Sequence, residues 1–268
     1  MRGSDSGRDP AGDRQLLAAT LREAGAIALK TFQAPVKTWL KAQSSPVSEA
    51  DIAVDNFLRE RLAGPASGCG WLSEETAQDR SSAQARRLWI VDPIDGTRAY
   101  LAGQPDWAIS AALVADGRPV LAAVFAPVSD ELFVATAGGG ATRNGAPIAA
   151  SAGAGLANVR VAGPKRLVEA LAAVESRITV TPRIGSLALR LLRVAEGALD
   201  VAFAGGSSHD WDLAGADLLV HEAGGAMTNL VGRGLTYNQP DLVHGALVAA
   251  GAARHVALIA LTREWEFG

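Results

Sequence analysis

Leu88-Trp89-Ile90-Val91-Asp92-Pro93-Ile94-Asp95-Gly96-Thr97 joins an apolar, β-rich run to two carboxylates and a turn. The run from Leu88 to Val91 predicts a buried strand, so Asp92 and Asp95 emerge where that strand ends and the chain turns toward a helix. Ligands of α/β proteins gather at such strand ends. Pro93 removes a backbone donor and stiffens the turn, Gly96 lets the backbone approach a bound group, and Thr97 offers a hydroxyl at a helix start. Two carboxylates with the Ile94 carbonyl between them form a cluster of hard oxygen donors that repel one another unless cations sit between them, which suits Mg²⁺. A pair of this kind standing alone is often only a solvated turn, so the acids elsewhere in the chain decide the matter.

Upstream, Trp71-Leu72-Ser73-Glu74-Glu75-Thr76 again sets carboxylates at the end of an apolar segment, behind a Gly-rich loop. Downstream, Trp211-Asp212-Leu213-Ala214-Gly215-Ala216 opens a helical pattern that runs through Leu218, Leu219 and Glu222 to the stop at Gly224-Gly225. Taken singly, Asp212 is most simply a helix N-cap, and Glu74 or Glu75 a surface acid. Taken together and in this order, the Glu-Glu pair, the Asp-Pro-Ile-Asp-Gly-Thr stretch and the Trp-Asp segment with its Glu222-Ala223-Gly224-Gly225 end resemble the inositol monophosphatase family. The resemblance extends from about residue 16 to about residue 248.

Composition agrees with a folded enzyme. The 268 residues suit one large domain or two closely packed subdomains, and 49% hydrophobic content is enough to bury a core. A net charge of −3 gives no footprint for nucleic acid, so an anionic substrate has to be drawn by bound metal rather than by the overall field. The single cysteine, Cys69, permits no intramolecular disulfide and points to a reducing, cytoplasmic setting. Set between Gly68 and Gly70, it reads as a small buried or loop thiol rather than a nucleophile. The first 12 residues are polar and are expected to form a flexible tail, and no run approaches the ~18 apolar residues that span a bilayer.

Along the chain, residues 13–32 carry Leu16, Leu17, Leu21, Ala24 and Ala28 at helical spacing, and Ser48-Glu49-Ala50-Asp51 matches a capping box that opens a second helix. Residues 107–115 and 119–126 read as strands around the Asp116-Gly117 turn, with a further strand at 131–136. The Gly138-Gly139-Gly140 loop fits neither a dinucleotide nor a phosphate-loop pattern and reads as a hairpin turn. Strands are expected at 157–161, 199–203, near Met227 and at 242–249, and helices from Lys165, over 186–196, from Asp212 and over 254–264. The irregular alternation favours layered sheets. The four histidines show no metal-binding spacing, the six tryptophans lack a basic stripe and read as core, and Arg86-Arg87 and Lys165-Arg166 read as solvated. A Gly-x-Ser-x-Gly elbow is absent, which sets serine-hydrolase chemistry aside.

The family resemblance implies more than these residues show by themselves. It implies an α+β, layered α-β-α-β-α sandwich of the inositol monophosphatase and fructose-1,6-bisphosphatase type, with a subdomain at 13–150 that carries most metal ligands and another at 151–268 that carries Asp212 and substrate contacts. It implies a lithium-sensitive, magnesium-dependent phosphoric monoester hydrolase using two or three Mg²⁺ ions. Glu74, Asp92 and the Ile94 carbonyl resemble the ligands of a first ion, and Asp92, Asp95 and Asp212 those of a second, with a weaker third ion near Glu74. In such pairs, roughly 3.5 to 4 Å apart, one cation makes a bound water acidic and the other stabilises the leaving oxygen. Thr97 resembles the hydroxyl that orients the attacking water, held in turn by Asp51, and Glu74, Thr97 and Asp51 form the expected catalytic set. Gly96 and Thr97 amides are expected on the phosphate, and Gly185, Ser186 and Asp212 on the rest of the substrate.

In inositol-specific members a glutamate just before the Trp-Asp pair binds ring hydroxyls, whereas this chain has Ala204-Gly205-Gly206-Ser207-Ser208 there. The expected substrate is therefore a small polyol or sugar phosphate such as inositol 1-phosphate, with loose specificity. Ser45-Pro46-Val47-Ser48-Glu49-Ala50-Asp51 and the Trp71 to Glu75 stretch also look like the 3′(2′),5′-bisphosphate nucleotidase branch, which acts on 3′-phosphoadenosine 5′-phosphate. A reading of another class, an RNA- or transcription-complex partner with a vestigial metal site, is disfavoured by the complete ligand set and the acidic balance. A homodimer with neither membrane nor nucleic-acid partner is expected.

Overall fold

The structure is a computed structural model describing residues 10–40, 46–63, 68–76 and 85–265. Among the described residues, no helix is long and apolar enough to cross a membrane. The first helix, α1 (Pro10–Leu29), starts inside the expected tail; proline suits a first helical position because its missing N–H has no partner to lose there. The rest of that tail lies outside the described residues. A short antiparallel pair, β1 (Thr38–Leu40) and β2 (Pro46–Ser48), leads into α2 (Glu49–Leu62).

A seven-stranded sheet follows, ordered as in the sequence: β3 (Gly70–Ser73), β4 (Arg87–Asp95), β5 (Ala108–Ala115), β6 (Arg118–Ala126), β7 (Glu131–Thr136), β8 (Ala141–Arg143) and β9 (Ala146–Pro147). The short helix α3 (Thr97–Leu101) leaves β4. Only β3 and β4 run parallel; the remaining neighbours are antiparallel. Asp116 and Gly117 both have positive φ, 48° and 76°, and this backbone matches the strand twist of a tight β5–β6 hairpin, as the Asp-Gly signal predicts. The second sheet contains β10 (Val159–Ala162), β11 (Ile178–Val180), β12 (Val201–Ala204), β14 (Gly225–Asn229) and β16 (Leu247–Gly251), ordered β11-β10-β12-β16-β14. The helices of this part are α4 (Lys165–Val174), α5 (Leu187–Ala195), α6 (Asp210–Glu222) and α7 (Ala252–Thr262). The strand expected over 242–249 is two pieces: β15 (Val243–His244) pairs with β13 (Ser208–His209), and β16 joins the sheet.

Alternation along the strands explains the layers. In β6, Leu121, Ala123 and Phe125 pack with Leu17, Leu21 and Leu58 of α1 and α2, while Ala122, Val124 and Ala126 join the core of α5 and α6. In β16, Leu247 and Ala249 face that same middle core, and Val248 and Ala250 face Leu171 and Leu258 of the outer helices α4 and α7. Strands apolar on both faces must be covered twice. The result is the expected α-β-α-β-α sandwich, α1/α2, sheet, α5/α6, sheet, α4/α7, with one middle core drawn from before and after residue 150. Helix α6 lies between the two sheets and is apolar on nearly every side. It approaches β5 and β6 so closely that a Cβ on Gly215 would lie 2.5 Å from Ser110 Oγ. Four of the tryptophans, Trp71, Trp89, Trp107 and Trp211, are buried as expected, but Trp39 on the short β1 is 46% exposed because no layer covers it.

Candidate metal centre

The DPID stretch belongs to β4 itself rather than to a loop beyond it. Asp92 pairs with Ser110 and Asp95 with Ala108, so three steps along β4 match two along β5. In a regular strand, residues three apart point to opposite faces. The one-residue bulge returns Asp95 to the side of Asp92, the side that faces α6. Asp212 arrives there from the first turn of α6, and oxygens of Asp92, Asp95 and Asp212 all lie within 4.8 Å of one another. Asp212 is not the N-cap read from the sequence. His209 holds that position, and Asp212, three residues on, accepts the His209 N–H at 2.6 Å. The His209-Asp210 pair, ahead of the Trp-Asp signal, starts the helix earlier than its apolar pattern does.

Each acid has a backbone anchor. Asp92 Oδ1 accepts the Ile94 N–H at 3.0 Å. Asp95 Oδ1 accepts the Leu187 N–H at 3.1 Å, and its Oδ2 accepts the Ala188 N–H at 2.6 Å and the Ser186 hydroxyl at 2.5 Å. A carboxylate oxygen has two lone pairs, so acceptor capacity remains on all three acids.

Electrostatically the cluster is under strain. Burial raises the Asp92 carboxyl well above the usual range, and Glu74, Asp95, Asp212 and Asp51 push it further. Asp95 is raised to about 7 by burial and by Asp212, against the lowering effect of Ser186, Ala188 and Leu187. The His209 imidazole is raised by its hydrogen bond to Asp212 and stacks on Trp211 with ring centroids 4.5 Å apart.

The other residues singled out in the sequence are distributed as follows. Glu74 follows β3 beside the end of β4, its N–H donating to Val91 O at 3.2 Å; it is half-buried, as is Glu75, and lies outside the tight trio. Asp51 is 1% exposed, and its Oδ2 accepts both the N–H and the hydroxyl of Ser48, at 2.7 and 2.6 Å. Thr97 Oγ1 lies 3.4 Å from Asp51 Oδ1 and 3.0 Å from the Ile94 carbonyl, so its single proton favours Ile94. Gly96 adopts φ 93° at the start of α3, with Ser186 and Asp106 packed against it. Gly185 donates its N–H to Asp106 Oδ2, and Ser186 is fully buried. Sequence reasoning missed Asp106, whose side chain and carbonyl hold the 185–186 turn against the metal loop; nothing in its local sequence signals a partner 79 residues away.

The donor set fits a cation. Three carboxylates, two of them almost fully buried, converge with hard oxygen donors, and every charged neighbour acting on Asp92 is another acid. A divalent ion satisfies such a set, and apolar packing cannot.

A layered sandwich with a carboxylate cluster at a bulged strand end has the donors to hold a divalent ion, and comparison with known proteins places the chain more closely. Residues 13–264 match the inositol monophosphatase family. The inositol-1-monophosphatase of Rhizobium meliloti is 36% identical over 227 residues, which cover 81% of this chain and 84% of that one. The 3′(2′),5′-bisphosphate nucleotidase CysQ of Haemophilus influenzae is 29% identical over 232 residues, covering 82% and 86%. Among solved structures, the extragenic suppressor protein suhB of Bartonella henselae superposes with a TM-score of 0.82 at 26% identity, covering 94% of this chain and 99% of that one. The chain belongs to the inositol monophosphatase family and is a phosphatase of that family, which acts on small phosphate substrates.

Proposed function

We propose that this protein is a Mg²⁺-dependent phosphomonoesterase that hydrolyses a small polyol or sugar phosphate such as inositol 1-phosphate. The observation that carries the reading is the convergence of Asp92, Asp95 and Asp212 within 4.8 Å from a bulged strand and a helix start. In this reading Asp92, Asp95 and Asp212, with Glu74 and the Ile94 carbonyl beside them, would hold two Mg²⁺ ions, and Glu74 would support a third. When bound, the ions supply an acidified water and neutralise charge on the leaving oxygen. Thr97 and Asp51 would orient the water, the Thr97 hydroxyl lying 3.0 Å from the Ile94 carbonyl and 3.4 Å from Asp51 Oδ1. The amides of Gly96 and Thr97, at the start of α3, face the phosphate. The protein is expected to act as a homodimer in the cytoplasm.

One observation favours a second reading. The loop at 204–208 has no carboxylate to bind ring hydroxyls, and at its foot a cation, Arg190, donates to the Phe203 carbonyl at 3.0 Å. A cation there suits a substrate with a second anionic group, such as 3′-phosphoadenosine 5′-phosphate. A phosphate-release screen with Mg²⁺ on inositol 1-phosphate, fructose 1,6-bisphosphate and 3′-phosphoadenosine 5′-phosphate tests both. The first reading expects similar kcat/KM among the monoesters, because losing one charged contact forfeits roughly ten- to a hundredfold selectivity. A strong preference for the nucleotide establishes the second, and no release from any of the three removes both.

A further inference from the structure

We infer that Ser186 is a positioning residue for Asp95, fixing the one acid of the cluster that is held from the far half of the chain, rather than a substrate contact. The inference rests on the metal-dependent reading of the site. Ser186 is fully buried, and each of its polar groups is committed within the protein. Its hydroxyl donates to Asp95 Oδ2 at 2.5 Å and accepts the Leu189 N–H at 2.9 Å. Its own N–H donates to the Asp106 carbonyl at 2.9 Å, and its carbonyl accepts the Arg190 N–H at 3.2 Å. Its one hydroxyl proton is already given to Asp95, and full burial leaves it no surface for a substrate hydroxyl to reach.

The three acids differ in where their anchors come from. Asp92 is anchored two residues away, by Ile94, and Asp212 three residues away, by His209. Asp95 is held by donors 91, 92 and 93 residues further along the chain. Those donors form the first turn of α5, which is pressed onto the metal loop: a Cβ on Gly185 would lie 2.7 Å from Ala99 Cβ, and one on Gly96 would lie 3.2 Å from the Ser186 nitrogen. At its other end α5 is tied to the first sheet, where Arg193 bonds Glu131 at 2.6 Å and Glu196 bonds Arg143 at 2.8 Å. Helix α5 is thus a bar fixed at both ends, and Ser186 is the point where it grips Asp95. Groups that orient a ligating carboxylate set its affinity for the ion, because an unheld carboxylate must be ordered when the ion binds.

The test uses the full chain, stripped with chelator, in Mg²⁺ calorimetric titrations of the wild type, Ser186→Ala and Ser186→Thr, with kcat and KM for inositol 1-phosphate at saturating Mg²⁺. Ser186→Ala is expected to weaken Mg²⁺ binding by about tenfold or more while KM stays within about twofold, and Ser186→Thr is expected to restore the wild-type isotherm. Should Ser186→Ala fail to fold, the near-isosteric pair Ser186→Thr and Ser186→Val asks the same question. A wild-type isotherm in the hydroxyl-less variant, with a raised KM, overturns the inference and makes Ser186 a substrate contact. A wild type that itself binds no Mg²⁺ overturns the metal-site reading as well, so the two failures are told apart.

Discussion

Helix α5 joins two groups of buried charge that are built on opposite rules. At its C-terminal end Glu131 and Glu196 lie against Arg143 and Arg193, with four N–O distances between 2.6 and 2.8 Å. Burial by itself would raise the Glu131 carboxyl, but Arg193, Ser129 and Arg143 bring it below its ordinary range. At the N-terminal end, Asp92 and Asp95 are also buried and lie against other acids, and burial with that repulsion raises both, although Ser186, Ala188 and Leu187 hold Asp95. The chain has arginines to place and pairs charges where it needs rigidity. Leaving like charges together is the mark of a site that waits for a cation.

The sharpest way to break this contrast is to neutralise one member of each group. Asp92→Asn keeps the shape and removes a charge, so kcat/KM for phosphate release should fall by more than about 10²- to 10³-fold, the scale for losing one preorganised electrostatic contact. In chelator, however, its unfolding temperature should equal or exceed that of the wild type, since a repulsion is relieved. An Asp92→Asn protein that hydrolyses normally would reduce the cluster to a structural feature. Arg193→Met should behave oppositely. It leaves Glu131 and Glu196, 7% and 8% exposed at the side chain, partly unpaired, for about 3 kcal/mol of stability and roughly 6 to 12 °C in unfolding temperature. Turnover at saturating Mg²⁺ should fall by less than about tenfold. Equal thermal stability of Arg193→Met and the wild type would show that the pairing contributes nothing.

Acidification separates the groups by sign, as a smaller effect. Between the unfolded value of an aspartate, roughly 3.9, and the Asp95 value of about 7, the folded metal-free protein binds more protons than the unfolded chain. Its stability should therefore decline as pH rises through that window and level off above it. Glu131 is shifted the other way, so its contribution is present above roughly pH 4 and lost below it. Urea midpoints measured across pH in chelator, and again in saturating Mg²⁺, check this: the ion should flatten the slope between pH 4 and 7, and an identical slope in both series would contradict the account.

Much of this is legible in the amino-acid sequence. Continuous apolar runs in β4, β5 and β6 and the Asp-Gly turn marked the first sheet, because long strands apolar on both faces leave few other options. The acids of the cluster were singled out as well, Asp92 and Asp95 by residue type and spacing and Asp212 by the resemblance to the family. What could not be read is whatever depends on long-range partners or on very short elements. The bulge that turns Asp95 to the side of Asp92 exists only in the pairing with β5. Strands such as β9, β13 and β15, of two residues each, carry no periodicity of their own. The hydroxyl of Ser186 meets a carboxylate 91 residues away, a partner that no local pattern announces.

The acids that burial and mutual repulsion raise are left together because a cation belongs between them. Thermal unfolding of the chelator-stripped wild type, followed while Mg²⁺ is added to millimolar levels, tests it most directly. An ion that binds the folded chain alone stabilises it by about 2.7 kcal/mol at a hundred times its Kd, roughly 5 to 10 °C here. The account predicts a rise on that scale that saturates with Mg²⁺ and is lost in Asp92→Asn; an unfolding temperature indifferent to Mg²⁺, with phosphate release persisting in chelator, would contradict it.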